Sequence, residues 1–316
     1  MLLAIPNFSE GRDRARLDAI GAALVAGGGV SLLDIHSDPD HNRSVFTLWQ
    51  RSGASGHGGA GVAGGVSGAP LADALTAGAR RAIDLLDIAT YRGAHPHVGT
   101  LDVAPIVYME DAERGEACAQ ALVLADRLGS ELEIPVFIYG ELSGGLVTRA
   151  QIRRGGPQVL QARIDAGELA PDFGPARLHP RAGAALVAAR GPLVAFNVEL
   201  APPANLETAR AIAALIREGG AEGLPAVRAI GLTLEHRDGV AQVSTNLEDY
   251  RRTNATAVLA AIARHARPLR AEVVGLPPRA AFDGFPEELP VLHRRHLEDA
   301  VAAAAATGAD AAAWSD

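Results

Sequence analysis

Twice along this chain, short apolar runs and amphipathic stretches follow one another as strand, helix, strand, strand, helix, strand, and that repeated order constrains the fold more than any single residue. In the first pass, residues 2–6 read as a strand, and Leu17, Ile20 and Leu24 share one helical face on which Gly21 leaves room for close packing. Gly27, Gly28 and Gly29 end that helix. Residues 30–35 and 44–48 read as a strand pair around the polar loop Asp38-Pro39-Asp40-His41-Asn42. A helix at 71–88, a strand at 103–108, a helix at 112–128 and a strand at 136–139 follow.

The second half repeats the pattern. Residues 185–188 and 193–198 read as strands, and Asn205 can cap a helix whose Leu206, Ala209, Ile212, Ala213 and Ile216 share a face. Gly219 and Gly220 stop it. Strands at 229–234, 240–244 and 272–274, with a helix at 254–264, complete the unit. The expectation is an α+β protein of two related β-α-β-β-α-β subdomains, ferredoxin-like in order, with mixed or antiparallel sheets covered by helices. Their expected bounds are 1–178 and 179–316. Residues 149–183, rich in Arg, Gly and Pro, read as a connector that also covers something, 300–313 as an alanine-rich helix, and 53–68 as a flexible glycine-rich loop.

Composition narrows function. With 48% hydrophobic residues the chain can bury a core, and with only 4% aromatic ones that core must be built largely from Leu, Ile, Val and Ala. A net charge of -8 argues against a nucleic-acid binder, which needs a basic face. Cys118 is the one cysteine, so no intramolecular disulfide can form; it sits mid-helix and reads as a buried, inert thiol. The start of the chain has no basic segment leading into a long apolar one, and no apolar run reaches the roughly 18 residues of a membrane span. A soluble cytoplasmic protein is expected.

The stretch Tyr91-Arg92-Gly93-Ala94-His95-Pro96-His97-Val98-Gly99-Thr100-Leu101-Asp102 carries the most chemistry. Histidine can exchange protons near neutrality. Pro96 biases His95 toward an extended backbone, and Gly93 and Gly99 permit unusual angles. Three readings stand: proton transfer by His95, a metal site using His95 and His97 followed by Asp102 with His36, His41 and Asp40 as further candidate ligands, and histidines that cap a loop. The glycines at 53–68 are no phosphate loop, for no lysine accompanies them. Arg177, His179 and Arg181 alternate, so an extended segment would present all three on one face to an anion.

Several segments together resemble the glutamate formimidoyltransferases. Pro6-Asn7-Phe8-Ser9-Glu10-Gly11 matches the family's opening motif, and Asp34 and Asn42-Arg43-Ser44-Val45-Phe46-Thr47 match its second and third strands. His95-Pro96 and Gly99-x-Leu101-Asp102-Val103-x-Pro105 match its active-site segment. Tyr139-Gly140-Glu141, Ala170-Pro171-Asp172-Phe173-Gly174-Pro175, Ala195-Phe196-Asn197-Val198 and Gln242-Val243-Ser244-Thr245-Asn246-Leu247 continue the match in order.

The resemblance implies an enzyme of histidine degradation and one-carbon metabolism that moves a formimino group from N-formimino-L-glutamate to N5 of tetrahydrofolate, its co-substrate, with no metal. It implies two α/β subdomains and a homodimer. It places the catalytic histidine at His95, as general acid and base. Folate binding falls on Gly174, Pro175, Ala176, Arg177, Leu178, His179, Pro180, Arg181, Ala182 and Gly183, and substrate binding on Asn7, Asn42, Arg43 and Asp102. The chain departs from the family pattern at Ala94, usually Glu, at His97, usually Arg, and at His36, usually acidic. Two alternatives accompany this reading: a folate-binding paralogue without catalysis, and a metal-dependent hydrolase using His95 and His97.

Overall fold

A computed structural model of the chain describes residues 1–39, 41–51, 68–93, 96–234, 237–307 and 313–315. The glycine-rich stretch up to Ser67, and Ala94 and His95, lie outside the described residues. Two compact units emerge, one of residues 1–190 with 304–316 and one of residues 191–303.

The first unit is built on strands β1 (Leu2–Ala4), β2 (Asn7–Phe8), β3 (Val30–Asp38), β4 (Arg43–Gln50), β5 (Leu101–Tyr108), β6 (Val136–Ile138), β7 (Ala185–Arg190) and, at the far end of the chain, β13 (Ala313–Ser315). Its helices are α1 (Arg14–Val25), α2 (Pro70–Leu85), α3 (Arg114–Glu131), α4 (Arg149–Arg153) and α5 (Gly156–Asp165). The sheet runs β13-β3-β4-β1-β5-β7-β6, with β2 bridging β4 and β5. Its β3-β4-β1-β5 part is antiparallel and has the expected β-α-β-β-α-β connectivity through α1 and α2. Strands β7 and β6 extend it in parallel.

Local chemistry explains the helices. Asp13 caps α1 by accepting from the Arg16 amide, and Pro70 opens α2, where a missing N–H costs nothing. Leu17, Ile20, Gly21 and Leu24 of α1 are buried, as their spacing predicts. They pack with α2 and α3 on one face of the sheet against Phe8, Phe46, Leu48 and Ile106. Helices α4 and α5 cover the opposite face, where Ile152, Leu160 and Ile164 meet Val103, Phe137, Leu186 and Ala188. Covered on both sides, β5 is buried at every position and from Val103 onward reads as a continuous apolar run.

Two sequence expectations change here. Residues 185–188, expected in the second half by their place in the chain, lie in β7, which pairs with β5 and β6 of the first sheet instead. A strand buried on both faces carries no alternation to say which sheet it joins. The connector at 149–183 holds two short helices, the first opened by a capping box between Thr148 and Gln151.

The second unit comprises β8 (Val194–Leu200), α6 (Leu206–Ile216), β9 (Val227–Leu234), β10 (Val240–Leu247), α7 (Ala255–Ala263), β11 (Pro268–Val274) and β12 (Val291–Leu292), followed by α8 (Leu297–Thr307). Its sheet order β12-β11-β8-β10-β9 contains the same four-strand antiparallel arrangement as the first. Asn205 and Asn254 cap α6 and α7, accepting from the Thr208 and Ala257 amides at 3.0 Å. Phe196, Phe282 and Phe285 pack edge to face beneath the helices. Among the described residues no helix is long and apolar enough to cross a membrane.

Candidate functional site

The opening motif is held by its own glutamate. Oε1 of buried Glu10 accepts from the amides of Gly11, Arg12 and Asp13 at 2.9–3.1 Å, and Oε2 pairs with Arg16. Gly11 is required for space, because a Cβ there would lie 2.5 Å from both the Arg43 nitrogen and the Asp38 carbonyl oxygen. Asn42, at φ 49°, accepts from the Gly11 amide at 2.9 Å and donates to the Arg92 carbonyl at 3.1 Å. Its side chain thus ties the β3–β4 turn to both the opening motif and the segment that leads to His95. The Tyr91 hydroxyl joins the same turn, donating to the carbonyls of His41 and Asn42.

The flanks of His95 are described although His95 is not. The His97 ring sits edge-on to Tyr91 with centroids 4.3 Å apart. The Val98 amide donates to Asp102 Oδ1 at 2.8 Å. Gly99 then pairs with Gly183, and bonds from Thr100 N to Ala182 O and from Ala184 N to Val98 O fasten the two segments together. A Cβ on Gly99 would lie 1.9 Å from the Ala184 oxygen, and one on Gly183, at φ +73°, 2.2 Å from the Val98 oxygen. The backbones approach this closely only because neither residue has a side chain.

Residues 179–183 make a tight turn rather than the extended row that would align Arg177, His179 and Arg181. His179 pairs with Gly183, and its Nδ1 accepts from the amides of Arg181 and Ala182 at 3.2 and 2.9 Å. That bonding requires an unprotonated Nδ1, and burial, with Arg181 nearby, lowers the His179 pKa. The Arg181 guanidinium donates to the carbonyls of Asp84 and Leu86 at the end of α2, a favourable place for a cation. Arg177 is exposed. Leu178 is anchored through its amide to Gln161 Oε1 at 2.8 Å.

Asn7, Arg43 and Asp102 gather on the sheet face opposite α1–α3. Asn7 stands in register with Val45 and Val103, and the ladder is irregular between Asn7 and Phe8 where β2 meets β5. Such bulges re-aim side chains beside functional sites. Asn7 Nδ2 bonds the Ile5 carbonyl, whereas Oδ1 is buried with no hydrogen-bond partner. Asp102 forms a buried ion pair with Arg153 of α4. The Arg43 pKa is lowered to about 10, chiefly by burial, then by the cations of Arg153 and Arg149 against the carboxylate of Asp102. Burial raises the Tyr91 phenol to about 12, with Arg43 opposing the rise. Sequence reasoning missed Arg149 and Arg153. Their only local signal is a four-residue spacing just after the Thr148 capping box.

Among the described residues no group of three or more His, Cys, Asp or Glu side chains is placed to hold a metal ion. Asp40 and His95, two of the candidate ligands, lie outside the described residues. Cys118 is half-buried on α3, and burial raises its thiol pKa. Surface depressions lined by Arg80, Asp84 and Glu133 and by Tyr250, Arg252 and Asp283 hold none of the site residues.

Residues 1–190 match the formiminotransferase domain, N-terminal subdomain, and residues 195–278 match the formiminotransferase domain. The chain is 34% identical to glutamate formimidoyltransferase of Streptococcus pyogenes serotype M1 over 88% of its own length and 89% of that protein. It is 34% identical to glutamate formimidoyltransferase of Thermoplasma acidophilum, with 88% of each chain covered. The formimidoyltransferase-cyclodeaminase of Sus scrofa is 36% identical over 86% of this chain, which spans 48% of that longer protein. Matched in order along both units, the chain belongs to the formiminotransferase family of transferase enzymes.

Proposed function

We propose that this enzyme transfers the formimino group of N-formimino-L-glutamate to N5 of tetrahydrofolate, with His95 as the proton carrier. The observation that carries the reading is the Gly99–Gly183 pairing, which sets the segment following His95 directly against residues 174–183, where the family resemblance puts folate. The relatives named glutamate formimidoyltransferase support the choice of donor.

In the reaction, N5 attacks the amidine carbon and a tetrahedral intermediate forms. The bond from that carbon to the glutamate nitrogen then breaks, but an amine leaves well only when protonated. His95 accepts the proton lost from N5 and delivers it to the departing nitrogen, which gives L-glutamate and 5-formiminotetrahydrofolate with no net change in protons. A base with a pKa near the working pH serves both halves of that exchange. Arg43 and Asn7 line the face on which the donor would lie, and Asp102 fixes the chain after His95 through the Val98 amide.

Ala94, in place of the family's usual glutamate, favours a second reading in which folate is bound and no group is transferred. Turnover assays of tetrahydrofolate with formiminoglutamate, and in parallel with formylglutamate, decide between them. Product from the first pair supports transfer and names the cargo. Saturable tetrahydrofolate binding with no product from either donor at any pH overturns it in favour of the second.

A further inference from the structure

Four residues apart on one helix, Arg149 and Arg153 both lower the pKa of Arg43, and Arg153 pairs with Asp102. Arg153 is only 10% exposed and its partner Asp102 only 5%. The ion pair uses an Nη2 proton of Arg153, while the Nε of the same guanidinium is buried with no hydrogen-bond partner. Arg149 lies with its guanidinium carbon 5.8 Å from the centre of the Tyr139 ring. The hydroxyl of Tyr139, itself only 6% exposed, is also buried without a partner. Buried donors left unmet in this way are uncommon and need an explanation, and a polar ligand is one. The cations of Arg153 and Arg149 both lower the Arg43 pKa, while the Asp102 carboxylate opposes them.

We infer that Arg149 and Arg153 of α4, with Arg43, form a subsite that takes a carboxylate of the formimino donor. The inference rests on the transfer reading for the identity of that ligand. A carboxylate suits the geometry, because a guanidinium presents parallel N–H donors to its two oxygens. Asp102 holds Arg153 in place and also binds the Val98 amide, so the subsite is tied to the segment that carries His95. That link favours the donor over the glutamate tail of folate, whose carboxylates lie at the end of the molecule far from N5.

The test uses the full-length enzyme with L-glutamate, the product, as a binding probe, alongside initial rates with formiminoglutamate and tetrahydrofolate. Arg149→Gln leaves the Asp102–Arg153 pair in place. It is expected to weaken L-glutamate binding in calorimetry and to raise the KM for formiminoglutamate by about 10-fold or more, as for a lost charge-assisted bond. The KM for tetrahydrofolate stays within about twofold. Arg153→Lys, which keeps the charge but not the fork, is expected to do the same with little change in Tm. Unchanged glutamate binding and donor KM in both variants overturn the inference, as does a rise confined to the KM for tetrahydrofolate, which would assign the arginines to the folate tail. If L-glutamate binds in an Arg149-dependent way while the wild type shows no turnover, the carboxylate subsite stands and the transfer reading fails.

Discussion

Gly99 and Gly183 face each other across a backbone bridge too close for a side chain on either residue. This contact, with the backbone hydrogen bonds beside it, fastens the segment after His95 to the one that ends at Gly183, some eighty residues later in the chain. Gly183→Ala should therefore do two things at once. It places a Cβ at φ +73° and 2.2 Å from the Val98 oxygen, so stability falls by about 2 kcal/mol or more. Turnover should fall further than the folded fraction does. Urea unfolding and rates measured on the folded fraction separate the two effects.

His179 makes the same turn sensitive to acid. Its pKa is lowered in the fold chiefly by burial, with Arg181 adding to the shift and Glu133 opposing it, and the neutral ring leaves Nδ1 free to accept two amide protons. The neutral ring is favoured in the folded state, so its stabilisation is complete above the ordinary histidine value of about 6.5 and is lost as pH falls through the lowered one. The protection factors of the Arg181 and Ala182 amides, which correct for the pH dependence of intrinsic exchange, should fall over that window. His179→Asn, whose Oδ1 can accept the same bonds without titrating, should flatten the dependence; an equally steep response in that variant would mean another group is responsible.

Much of this was legible beforehand, and the parts that were not share a cause. The β-α-β-β-α-β order could be read because α1 and α6 announce themselves through spacing, and α6 also through Asn205 at its start. The residues singled out at Asn7, Asn42, Arg43 and Asp102 do lie about one sheet face and its adjoining turn. Strand β7 was misgrouped because a strand buried on both faces says nothing about its sheet. The row Arg177, His179, Arg181 presumed an extended chain, but the bridge between His179 and Gly183 bends it into a turn. The approach of Arg149 and Arg153 to Arg43 is a product of tertiary packing across more than a hundred residues, for which no local pattern exists.

Glu10 should prove structural. Removing its carboxylate in Glu10→Ala strands the amides of Arg12 and Asp13 at the entry to α1, while the Gly11 amide keeps Asn42, and a cost of about 2–3 kcal/mol is expected in chemical denaturation. Glu10→Gln, which keeps one acceptor oxygen, should recover more than half of that loss. Equal destabilisation by both substitutions would point to the Arg16 ion pair instead.

The Asp102–Arg153 pair should behave as a buried ion pair does. Arg153→Ala leaves the carboxylate buried and uncompensated and is expected to cost about 3–5 kcal/mol, whereas adding Asp102→Asn to it should restore part of the stability. A double-mutant cycle on unfolding free energies measures this coupling. Additive losses would show that the two side chains act independently.

The central claim is that His95 carries the proton in formimino transfer, and the most direct measurement is the turnover of His95→Asn with tetrahydrofolate and formiminoglutamate, set beside its tetrahydrofolate affinity. The account predicts that the rate falls by at least about 100-fold, as for loss of a general acid and base, while the folate dissociation constant and Tm stay close to those of the wild type. A variant that turns over at the wild-type rate would contradict it.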